Sequence, residues 1–180
     1  MKKALNFFAG TALLLSVGLF GCLKEDPAKQ LEVDWNKTGI VSGKILYVND
    51  VSGTPPYKYE APRAQDVALR AIVAYSDFVD GAGGVYQIPN DKITYDPATG
   101  VFTVEVPTGD KGGEVEIMMS DFVGTRLEPN PELPTQSVRK DGYWALTPNI
   151  KLEVNPGQTT VGAYKRLTFT EQPNVGSQTF

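Results

Sequence analysis

The chain has no histidine and only one cysteine, Cys22, in 180 residues. Without histidine there is no Ser-His-Asp or Cys-His arrangement, no histidine general base and no His-containing metal site. A single cysteine excludes an internal disulfide, a CxxC redox pair and a zinc knuckle. Basic runs are missing too. Seventeen Lys and Arg stand against 21 Asp and Glu, for a formal charge of -4, which argues against nucleic acid as a partner. No G-x-S-x-G nucleophile elbow occurs. The glycines at 81, 83 and 84 lack the lysine and the following helix of a phosphate loop. These gaps point away from an enzyme and give no reason to expect a cofactor or a metal.

The first segment is an address. Lys2 and Lys3 precede an uncharged run over residues 4–20, shorter than the roughly 20 apolar residues that a spanning helix needs. Small residues interrupt the run, as in a secretory signal. Leu19, Phe20, Gly21 and Cys22 follow in the order of the lipobox of bacterial lipoproteins, which they resemble. The resemblance implies that Cys22 is lipidated and becomes the first residue of the mature chain. Several acyl chains, at about 0.8 kcal/mol per buried methylene, anchor a protein stably where one is marginal. Lys24, Glu25 and Asp26 resemble the export signal that takes lipoproteins to the outer face of the outer membrane in a group of Gram-negative bacteria. The localisation this implies is a lipid-anchored, surface-exposed position on the outer membrane, with periplasmic retention as the alternative. From Cys22 onward, 15 basic residues remain against 21 acidic ones, a formal charge of -6.

Residues 22–37 read as the lipidated cysteine and a charged, flexible tether. Beyond them β-branched residues dominate, with 17 valines and 7 isoleucines against 9 leucines from residue 22 onward. That balance favours strands over helices. Alternation predicts strands over 38–48, 67–75, 85–88, 92–95, 101–106, 114–119, 143–146, 150–154 and 161–170. Asp96, Pro97 and Gly100 form a turn signal with glycine at the positive-φ position. A proline-rich loop is expected over 127–134. Short connections imply largely antiparallel pairing. The expected fold is all-β, an antiparallel β-sandwich over 38–171, with a polar tail at 172–180. The tetrapeptide Ser-Asp-Phe-Val occurs at 76–79 and again at 120–123; two strand ends whose phenylalanines fold back on the core account for it.

Segments 38–45, 67–75 and 95–107 (the last with the pattern D…G-x-F-x-x-x-V-P) resemble the core strands of transthyretin-like or carboxypeptidase-regulatory-like sandwich domains. Residues 154–160 resemble a turn found in small surface lipoproteins. Such domains serve mainly in stability, spacing or interaction, so the resemblance implies a module and no catalysis.

Three groups of side chains are candidates for chemistry. Asp77 and Asp80-Gly81 offer two carboxylates on a glycine-rich loop, short of the ligand density of a calcium loop; solvated turn aspartates are the default reading. Glu114 and Glu116 share one strand face, a spacing that glycosidase carboxylates also use but that any exposed strand produces. Tyr57 and Tyr59, stiffened by Pro55 and Pro56, would face one side of an extended loop and stack on sugar rings; alternatively the loop covers one end of the sandwich. Trp35 and Trp144 are expected to pack in the core or at its edge. The expected role is a non-enzymatic binding or structural module of the envelope. Its partners would be the membrane, through Cys22, and envelope proteins or glycans. A minor fimbrial or adhesin-type subunit built by strand exchange is the alternative.

Overall fold

A computed structural model describes residues 33–78 and 83–172. Cys22, the lipobox residues Leu19, Phe20 and Gly21, and Lys24, Glu25 and Asp26 lie outside the described residues, as do Asp80 and Gly81.

Within Val33–Phe180 the described residues form an all-β fold without α-helix. The strands are β1 (Thr38–Leu46), β2 (Leu69–Ala74), β3 (Val85–Gln87), β4 (Ile93–Asp96), β5 (Val101–Pro107), β6 (Gly113–Met119), β7 (Phe122–Pro129), β8 (Ser137–Ala145), β9 (Ile150–Val154), β10 (Thr159–Arg166) and β11 (Thr168–Glu171). They build a four-stranded sheet in the order β10-β1-β5-β4, another in the order β3-β2-β6-β9, and a three-stranded sheet β11-β8-β7. Among the described strand pairs only β1–β10 is parallel; the other seven are antiparallel.

The alternation that predicts the strands also selects the core. In β1, Val41 and Ile45 are fully buried; in β5, Phe102, Val104 and Val106; in β6, Val115 and Ile117. Together with Ala71 and Val73 of β2 and Ile150 and Val154 of β9 they form one apolar cluster shared by the two four-stranded sheets. Successive side chains of a strand point to opposite faces, so the polar positions between them face outward, as Arg70 does in β2. The turn between β4 and β5 has the predicted chemistry. The Asp96 carboxylate accepts the Ala98 amide at 2.9 Å and the Thr99 hydroxyl at 2.6 Å, and Gly100 takes φ +75°.

Three expectations need correction. Residues 122–129, expected as a strand end and a loop, form β7, whose polar side chains and partly exposed faces give little alternation to read. The strand expected over 143–146 begins at Ser137, because β7 and β8 pair without a break from Phe122 opposite Trp144 to Pro129 opposite Ser137. The strand expected over 161–170 is two strands. β10 runs beside β1 and β11 beside β8, and the change of sheet falls at Leu167, which is buried and donates its amide to the Leu46 carbonyl at 2.8 Å. The two Ser-Asp-Phe-Val segments follow β2 and β6, and both Phe78 and Phe122 pack against the core.

Candidate functional site

A cleft of about 850 Å³ lies between the segment that follows β1 and the outer edge of β7. Its floor is aromatic. Tyr47 meets Phe122 edge to face at 6.1 Å between ring centres and Trp144 at 5.0 Å, and Trp144 leans on Phe169 at 4.9 Å. These rings come from three distant parts of the chain, and the hairpin β7–β8 brings two of them together. Trp144 is 1% exposed, and among the described residues its buried indole Nε1 has no hydrogen-bond partner. Such a donor costs about 1–3 kcal/mol of desolvation. Gly124 of β7 lies directly against it, and both residues line the cleft.

The rim is polar. Arg63 and Asp66 bond side by side, Nε to Oδ2 at 2.7 Å and a second guanidinium nitrogen to Oδ1 at 3.2 Å. The Asp50 carboxylate accepts the Ser52 hydroxyl at 2.6 Å and the Ser52 amide at 2.9 Å, which hold it below its ordinary pKa. Burial, followed by the nearby Glu60 carboxylate, raises the pKa of the Tyr47 hydroxyl. Arg139 completes the rim opposite Leu127; among the described residues it has no carboxylate partner.

Backbone pairing fixes one end of the cleft. Leu127 donates its amide to the Asn49 carbonyl and accepts the Val51 amide, both at 2.8 Å, forming a parallel bridge with Asp50. The pairing stops there. At the other end Tyr47 exchanges both backbone bonds with Glu60 at 2.9 Å, so the cleft occupies the place where β7 would otherwise gain a neighbour.

The residues singled out from the sequence lie elsewhere. Tyr59 lines a smaller recess of about 470 Å³ with Lys44, Lys58 and Glu60. Its ring is already engaged, edge-on with Tyr164 at 6.5 Å and beneath the Arg166 guanidinium at 4.4 Å. Tyr57 is half-buried and lines neither concavity. Glu114 and Glu116 hold Lys151 at 3.4 and 3.6 Å on the outer face of β6, and Asn149 donates to Glu116 at 2.7 Å. Asp77 packs its carboxyl against Gly113. Among the described residues no group of three Asp, Glu, Cys or His side chains gathers as a metal site would require. Trp35 packs at the edge of the core against Tyr86, with the Lys92 ammonium 4.9 Å above its ring. Ser137 and Lys140 have the S-x-x-K spacing, but on a strand residues three apart face opposite sides, and Lys140 is bonded to Glu171 at 2.9 Å.

The cleft residues Tyr47, Asn49, Arg63, Asp66, Phe122 and Arg139 have no motif. The one sequence signal near them is the second Ser-Asp-Phe-Val, which supplies Phe122 and Val123. Compared with protein-family models the chain matches none, and a search among curated proteins finds no similar sequence.

Proposed function

We propose that this protein is a non-enzymatic lipoprotein of the bacterial outer membrane, anchored through lipid on Cys22, that presents its β-sandwich at the cell surface as a binding module. The observation that carries the binding role is the cleft beside β7. A concavity of about 850 Å³ falls within the range of ligand sites, and an apolar floor with a few polar groups at the rim is their usual lining. The order of basic start, uncharged run and Leu-Phe-Gly-Cys supports the anchor, and Lys24, Glu25 and Asp26 support display on the outer face. A glycan role has less behind it, because the Tyr59 ring that would stack on a sugar already meets Tyr164 and Arg166.

Labelled palmitate tests the anchor: it is expected to enter the wild-type chain and not Cys22→Ala. Label in that variant, or none in the wild type, overturns the lipid assignment. Protease added to intact cells is expected to cleave the domain. Cleavage only after lysis places it on the periplasmic face.

A further inference from the structure

The edge of β7 is built to receive a strand. Within a strand the amide and carbonyl of one residue point to one side, and those of the next residue to the other. Leu127 directs both its groups away from β8, toward Asn49 and Val51. The β7–β8 register runs unbroken from 122 to 129, so Val123 and Thr125 direct their amides and carbonyls the same way as Leu127. Both residues line the cleft, and among the described residues no backbone or side-chain partner meets those four groups.

Side chains add a second element. On one face of the hairpin Val123 lies opposite Tyr143 and Leu127 opposite Arg139. Val123 is 67% exposed, Tyr143 39% and Leu127 37%. Charge adds a third. Arg63 is neutralised by Asp66, whereas Arg139 at the same rim forms no ion pair among the described residues, although Asp141, opposite Thr125, stands on the same face of β8.

We propose that the cleft takes an extended segment of a partner polypeptide as an added strand on β7, paired with the backbone of Val123 and Thr125 and carrying a carboxylate that meets Arg139. The proposal rests on the reading of this domain as a binding module and names what it binds. Donors and acceptors alternating along an open edge match a peptide backbone, with alternate side chains supplying specificity. A sugar ring needs an open aromatic face, and the largest ring of the floor, Trp144, is buried. An exposed row of unpaired strand groups invites such pairing unless it is covered.

The test uses the full chain, purified in detergent and immobilised, against a phage-displayed library of random dodecapeptides, with a glycan array in parallel. Selected peptides are expected to be rich in β-branched residues and to carry an acidic residue or an acidic end. Their synthetic forms should slow amide exchange at Val123 and Thr125 at least tenfold. Thr125→Pro removes only an outward-facing donor, a change edge strands accept, and should weaken binding at least tenfold with the melting temperature little changed. Should that variant fail to fold, Arg139→Glu serves instead: its exposed side chain leaves the fold intact, and affinity for the acidic peptides should fall at least tenfold. Peptides that bind without protecting Val123 and Thr125 overturn the proposal. So does a concentration-dependent dimer that protects them without peptide. Glycan binding with no peptide selected overturns the strand while leaving the binding module standing. Silence in both assays removes the module reading itself.

Discussion

Gly124 lies against the indole of Trp144 so closely that a Cβ at 124 would stand 2.8 Å from Cδ1 and 2.9 Å from Nε1. The ring is buried and packed against Tyr47 and Phe169. Gly124→Ala is therefore expected to destabilise the domain by about 1–3 kcal/mol, the usual cost of forcing extra volume into a packed site. Gly53→Ala, with no atom within 4 Å of the new Cβ, should stay within about 0.5 kcal/mol of the wild type. Urea denaturation of both variants measures the difference; equal midpoints would contradict the packing described.

Tyr95 gives the domain an alkaline limit. Its hydroxyl donates to the Pro62 carbonyl at 2.7 Å, and burial, with Asp96 next in effect, pushes its pKa up to about 12. In the unfolded chain the phenol ionises near its ordinary pKa of about 10. Folding therefore favours the neutral form. That contribution is complete below pH 10 and is lost as pH rises to about 12. Tyr47 is shifted in the same direction. Melting temperatures across this range are expected to fall more steeply for the wild type than for Tyr95→Phe, which has no proton to lose. Parallel curves would show that Tyr95 ionises freely.

Leu167 joins two sheets. Its side chain is 6% exposed and its amide bonds to Leu46, between the strand beside β1 and the strand beside β8. Leu167→Ala should cost about 2–5 kcal/mol, as for other buried leucines. Hydrogen exchange should then speed up in the β1–β10 pair and in the β8–β11 pair alike. Faster exchange in one pair alone would mean that the two sheets are held independently.

Much of the fold is legible in the sequence where a strand buries one face. Val41 and Ile45, Phe102 to Val106, and Val115 with Ile117 alternate cleanly, and their burial follows. Trp144 is in the core, as expected of a tryptophan without a special setting. The hairpin β7–β8 is hidden because neither face of β7 is fully covered, so Arg126 and Glu128, which pair with each other, read as loop. Its register comes from the partner strand and not from its own pattern. The cleft is hidden for a related reason. It is a gap between two backbones, at Asn49 and Thr125, that pair at one point and then part. No local residue pattern encodes such a gap. The proposed anchor at Cys22 rests on sequence for the opposite reason, since a targeting signal is a run of consecutive residues.

The parallel pair β1–β10 has a consequence in time. Thr38–Leu46 is the first described strand and Thr159–Arg166 the tenth, so more than a hundred residues must be placed before they meet. Contacts this distant in sequence form slowly, because the loop entropy is spent before any pairing returns it. A chain emerging from its N-terminus keeps one edge of β1 open until the late strands arrive. Under the export proposed above, the chain would cross a membrane before it is able to close its own sandwich.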